Sequence, residues 1–250
     1  MPRLFIPAGV VMKENLRRLL LAFEDWLVRE ELLGDAFLIS PEDWQKRGET
    51  WLNDAVYVFV FDGSSVHHML NFGCDTTEFD DIFESFGFYY EMGHSWNLGI
   101  YPIEDYDFTP PPRSSYSQLL RDPRWKRKAE LVKEVAKRKC QDCGAGGRLE
   151  AHHCYYARMS NGFHPWEYPL SALRALCPDC HEKREKIEMS FRAWSAKLTH
   201  QQLVQLQNGV DHAGYWMGHN ELFELLNESS RNECEELQEL HKRVMSKPAR

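Results

Sequence analysis

Along residues 13–33 the apolar side chains Leu16, Leu19, Leu20, Phe23, Trp26, Leu27 and Leu33 recur at helical spacing, which predicts an amphipathic helix ending before Gly34. Residues 36–40 then suit a short strand. Ser40-Pro41-Glu42-Asp43 sets a cap, a first-turn proline and early acids where a second helix begins. Residues 55–61 are β-branched or aromatic almost throughout, as a buried strand requires, and Asp62-Gly63 turns the chain after them. Residues 76–86 read as a helix stopped by Gly87, and Phe88-Tyr89-Tyr90 and residues 96–101 read as strands. Residues 1–108 are therefore expected to form a small α+β domain.

The pattern breaks at residues 109–116, where Pro110, Pro111 and Pro112 favour extended backbone and Ser114 and Ser115 do not pack, so a linker is expected. Beyond it, residues 117–188 form a second expected domain. It opens on a helix from about Asp122 that carries Trp125, Leu131, Val132 and Val135 inward. Its other face bears Arg124, Lys126, Arg127, Lys128, Lys133, Lys137, Arg138 and Lys139. Residues 189–250 are expected to be a helical C-terminal region, with helices near 187–198, 199–208, 221–227 and 232–244. Their apolar faces, including Leu203, Leu206, Leu222 and Phe223, suit either capping the preceding domain or self-association.

Charge sharpens this division. The net charge of −8 separates into about −13 over residues 1–112, about +7 over residues 113–187 and about −2 over residues 188–250. A local basic segment is what phosphate contact needs, because salt screens charges beyond about a Debye length. The acidic N-terminal region is thus not expected to read DNA; it suits folding back on residues 124–139 or recruiting a protein partner. Its His67, His68 and His94, with Asp75, Glu78, Asp80, Asp81 and Glu84, fall in no spacing that demands a site. No run of eighteen apolar residues occurs and the first residues lack a signal-peptide core, so a soluble, cytoplasmic protein without membrane contact is expected. Cysteine usage fits a reduced compartment, since Cys74, Cys154 and Cys234 are scattered while the other four are paired by spacing.

Those four are Cys140-Gln-Asp-Cys143 and Cys177-Pro-Asp-Cys180, two C-x-x-C knuckles at the separation a single tetrahedral Zn²⁺ takes. Leu149-Glu-Ala-His152-His153 ends an apolar run between them, and His181 directly follows the last cysteine. Three histidines are left over for chemistry.

The order C-x-x-C, His-His, L-C-x-x-C-H resembles the HNH endonucleases, whose core is a ββα-metal finger braced in many members by zinc on four cysteines. Leu120-Arg-Asp-Pro-Arg-Trp125, Tyr155-Tyr156 and Pro165-Trp-Glu-Tyr-Pro169 resemble one subgroup of that family, and the likeness covers about residues 115–188. The resemblance implies a DNA-cleaving phosphodiester hydrolase in which His153 is the general base. It implies His152 and His181 as ligands of a catalytic Mg²⁺, Mn²⁺ or Ni²⁺, with Cys140, Cys143, Cys177 and Cys180 holding the structural zinc. Neighbours on a strand face opposite ways, so this assignment requires the strand to end or bulge at the histidine pair. The family's middle Asn falls on Ala172, leaving Glu167, Tyr168 or Ser171 to brace the loop. The rival class is a noncatalytic zinc-knuckle module that grips nucleic acid through Arg124, Lys126, Arg127, Lys128, Lys137, Arg138 and Lys139.

Overall fold

Alternation along residues 57–61 organises the N-terminal half. In the computed structural model, which describes residues 8–109, 115–156 and 163–231, strand β2 (Tyr57–Val60) turns Phe59 to one face and Val58 and Val60 to the other, all buried. It pairs antiparallel with β1 (Phe37–Ile39) and β4 (Asn97–Pro102), and β3 (Phe88–His94) lies beyond β4, giving the order β1-β2-β4-β3. One face carries α1 (Ala8–Arg29) and α4 (Thr77–Ser85), whose Leu19, Phe23, Trp26, Phe79 and Phe83 share a core with Phe59, Phe88, Leu98 and Ile100. Trp44 of α2 (Pro41–Lys46) packs with Val58 and Val60 in a smaller core.

Three details differ from the sequence reading, each for a local reason. Helix α1 stops at Arg29 because Leu32 N–H reaches back to the Leu27 carbonyl at 2.8 Å and Glu31 turns left-handed at φ 56°, ahead of Gly34. Strand β3 runs on to His94, past its aromatic start, because an edge strand needs no apolar residue at its solvated positions. The short α3 (Ser65–Asn71) went unread, since only Val66 of it is buried. Gly87 does end α4: it sits at φ 87°, and a Cβ there would run into the Tyr106 ring.

After α5 (Tyr116–Leu119), Asp122 caps α6 (Pro123–Val135) by accepting the Arg124 N–H at 2.9 Å, with Pro123 in the first turn. Helix α6 ends earlier than the charge run suggests, because Arg138 N–H bonds the Lys133 carbonyl at 2.8 Å and Lys137 and Arg138 adopt φ 53° and 57°. Trp125 and Val132 of α6 form a second core with Leu149, Trp166, Leu173, Ala175 and Leu176. That core backs the antiparallel pair β5 (Glu150–His153) and β6 (Leu173–Leu176), which leads into α7 (Pro178–Ser195).

All three cores belong to one compact unit, residues 1–182, with residues 183–250 as another. Contacts from the N-terminal region reach the α6 and β5–β6 region at named points. Lys128 of α6 is buried in an ion pair with Asp81 of α4, and Arg18 of α1 pairs with buried Glu167. Ser171 N–H donates to Glu78 at 2.9 Å. The prolines expected to form a linker lie outside the described residues. In the second unit α8 (His200–Met217) starts at a Thr199–Gln202 capping box, and Gly218 at φ 79° turns it into α9 (His219–Arg231). The helix expected at 232–244 also lies outside the described residues. No helix among the described residues is long and apolar enough to cross a membrane.

Candidate metal centre and histidine cluster

Each cysteine knuckle is built by backbone hydrogen bonds. Gly144 N–H returns to the Cys140 carbonyl at 2.8 Å, made easy by Gly144 at φ 75°, and His181 N–H bonds the Cys177 carbonyl at 2.9 Å in the first turn of α7. Gln141 ties the knuckles together, its N–H donating to the Ala175 carbonyl at 2.9 Å and its side-chain carbonyl accepting the Ala175 N–H at 2.7 Å. As a result the four sulfurs of Cys140, Cys143, Cys177 and Cys180 all lie within 4.8 Å of one another, and Cys143 Sγ is 3.9 Å from Cys177 Sγ. Tetrahedral Zn–S bonds of about 2.3 Å place sulfurs about 3.8 Å apart. The cluster therefore fits a zinc ion. Burial alone would raise the Cys140 thiol, but N–H groups of Cys177, Cys143 and Asp142 point at its sulfur and bring it down to about 6.

The histidines lie on the strand that follows the first knuckle. Strand β5 stays regularly paired through both, His152 opposite Arg174 and His153 opposite Leu173, and Cys154 N–H continues the ladder to the Ala172 carbonyl at 2.8 Å. There is no bulge, so the two rings, both buried, leave the strand on opposite sides, and the condition on which His153 was expected to serve the same ion as His152 is not met. His152 meets His181 edge to face, with ring centroids 4.8 Å apart. His181 Nδ1 lies 2.8 Å from Glu150 Oε2. A carboxylate can only accept, so Nδ1 carries a proton and donates it to Glu150. Glu150, two residues before His152 on the same strand face, thus orients the His181 ring, and the hydrogen bond from His181 in turn holds the Glu150 carboxyl below its usual range.

His153 faces the other way, into an aromatic box. It stacks on Trp125 at 4.7 Å and on Tyr156 at 5.5 Å, with Tyr168 edge-on at 5.0 Å. Its Nε2 lies 3.0 Å from the Pro165 carbonyl, which can only accept, so the proton sits on Nε2 and Nδ1 faces the Tyr116 hydroxyl at 3.2 Å. Desolvation pushes its pKa down to about 4, leaving the ring neutral at physiological pH.

Ala172, fully buried, offers only backbone here. The loop is held instead by Glu167, whose carboxylate accepts the His164 N–H at 2.7 Å and so closes the Pro165–Glu167 turn that presents the carbonyl to His153. Burial raises the Glu167 carboxyl to about 7, against the pull of Arg18.

The basic positions divide. Lys126, Arg127, Lys137 and Lys139 are exposed. Lys128 is enclosed against Asp81 and withdrawn from solvent. Arg124 is clamped by Asp122 at 2.8 Å and lies 4.2 Å over the Trp166 ring, and Arg138 is paired with Glu130 and Glu134. Sequence reasoning passed over Glu150 and Tyr116. The first carried a signal, its two-residue spacing from His152; the second carried none.

No known protein-family model, curated protein or solved structure matches this chain. The class that fold and site define is a mixed α+β protein with a four-cysteine centre able to hold zinc.

Proposed function

We propose that residues 117–188 act as a zinc-braced, metal-dependent endonuclease of the HNH type that hydrolyses phosphodiester bonds in DNA. The observation that carries this reading is the meeting of His152 and His181 across the β5–α7 junction, with Glu150 holding the His181 ring through Nδ1. Together they would hold a divalent cation, Mg²⁺, Mn²⁺ or Ni²⁺, whose chemistry is to neutralise charge on the phosphoryl group and assist the leaving oxygen. A carboxylate behind a ligating imidazole raises its basicity and fixes its ring, the arrangement found behind metal-bound histidines generally. By the resemblance His153 is the general base, with its Nδ1 facing the Tyr116 hydroxyl and its Nε2 held at the Pro165 carbonyl; because it leaves β5 on the face opposite His152, it would take a proton only from a water that does not rest on the ion His152 and His181 would hold. Lys126, Arg127, Lys137 and Lys139 are the exposed cations suited to phosphate contact.

The burial of His153 and the alanine at 172 favour a second reading, a nucleic-acid-binding module without catalysis. Nicking by the parent separates the two, and His153→Gln tests the base. The longer amide reaches the Nε2 position and keeps a donor for the Pro165 carbonyl but supplies no base, so plasmid nicking is expected to fall at least about 100-fold while duplex binding stays at the parent value. Nicking at the parent rate by a variant that melts like the parent removes His153 from the reaction.

A further inference from the structure

Helices in the second unit, residues 183–250, bury almost nothing of their own. Thirteen large apolar side chains among its described residues are exposed, and Leu222 is the one buried member of the set. The densest exposure is a stripe on α7, where Ile187, Phe191 and Trp194 follow helical spacing and are 64%, 57% and 46% exposed. On α8 the residues Leu203, Leu206, Val210, Ala213 and Met217 repeat at alternating three- and four-residue steps. That is the a/d seam of a coiled coil, narrower than the face a helix turns to a globular core.

Short helices gain most of their stability from packing, and with Leu203, Leu206 and Met217 more than a third exposed and Val210 and Ala213 half-buried, the α8 seam still has surface left to cover. The thirteen exposed side chains, spread over α7, α8 and α9, sum to on the order of 1,000 Å² of apolar surface, against roughly 800 Å² per partner in a stable complex.

Charge selects the occupant. Positions flanking the α8 seam are Gln202, Gln207, Gly209, Gly214 and Trp216, and Asp211 is the helix's only acidic or basic residue, histidines apart. Flanking charges are what direct a seam to a different helix or forbid pairing with itself, and they are absent here. Residues 183–250 carry ten basic and ten acidic side chains, so copies do not repel one another. We infer that this unit is a homodimerisation module, in which a second copy of the chain closes the α7 and α8 stripes across a two-fold axis.

Light scattering on the full chain tests this. At tens of micromolar the mass is expected to be twice 29.4 kDa, falling toward the monomer on dilution. Leu206→Glu, on the seam, and Trp216→Lys, 72% exposed beside it, are each expected to give the monomer with helix content and zinc content unchanged. Asn208→Glu, on the far side of the helix, leaves the dimer intact. A monomer throughout, which would mean that another part of the chain or a different protein covers the surface, overturns the inference. So does a dimer that survives both substitutions.

Discussion

Cys177→Ser is expected to unfold the region around β5 and β6 and to abolish zinc binding. Serine is not a thiolate, and three remaining sulfurs leave the ion incompletely held. Metal affinity at a site of this kind is folding free energy, on the order of 10–16 kcal/mol in small zinc modules at neutral pH. Here the loss falls on a small core, since Cys140 is itself a buried member of the cluster with Leu149 and Leu176. The Gln141 bonds that join the two knuckles also depend on their closing. Cys143→Ser should behave alike although Cys143 is exposed, because coordination and not burial is what it contributes. Metal analysis and a thermal melt check this together. The parent should carry about one zinc per chain, and the variants none, with a lost or greatly lowered transition. Variants that melt like the parent would show that the cysteines brace nothing.

The second large effect is expected at Lys128. Burial drives its pKa down and that of Asp81 up, while their mutual attraction opposes both shifts. Removing one partner leaves the other charge enclosed without compensation, which costs about 3–5 kcal/mol. Lys128→Met and Asp81→Leu should therefore each lower the melting temperature by on the order of 10 °C. The double variant should recover most of that loss, since an apolar pair can replace an ion pair of similar volume. Melts of the four proteins decide it: additive losses would mean the two side chains do not act as a pair. The same contact bears on dissection of the chain. A fragment starting near Arg113 would strip Lys128 of Asp81 and Glu167 of Arg18 together, so weak DNA binding by it would report damaged folding before it reported lost DNA contacts.

Local and periodic features were legible in the sequence. The C-x-x-C spacing led to four sulfurs that do converge, and the apolar period of α1 and the β-branched run of β2 led to the elements that build the main core. Lys128 was misgrouped with the solvated cations, although the sequence held the correction. Positions 125, 128 and 132 share one helical face, and Trp125 and Val132 are core residues, so the lysine lies on the buried stripe. Glu150 was readable in the same way, from its place on the strand face of His152. Contacts made across the fold were not readable. Tyr116 reaches His153 from 37 residues away and Arg18 reaches Glu167 from 149 away. Neither leaves a trace in local spacing, because tertiary packing alone selects those partners.

The central claim is that a zinc-braced hairpin presents a histidine pair to a second, catalytic ion. The most direct measurement is plasmid nicking by protein that retains its zinc but has been freed of other divalent ions. Supercoiled DNA is expected to stay intact until a divalent ion is added. Mn²⁺ or Ni²⁺ should support cleavage at least as well as Mg²⁺, because imidazole ligands suit them better. Folded, zinc-loaded protein that leaves the plasmid uncut with all three ions, or that cuts it equally well in chelator, would contradict the account.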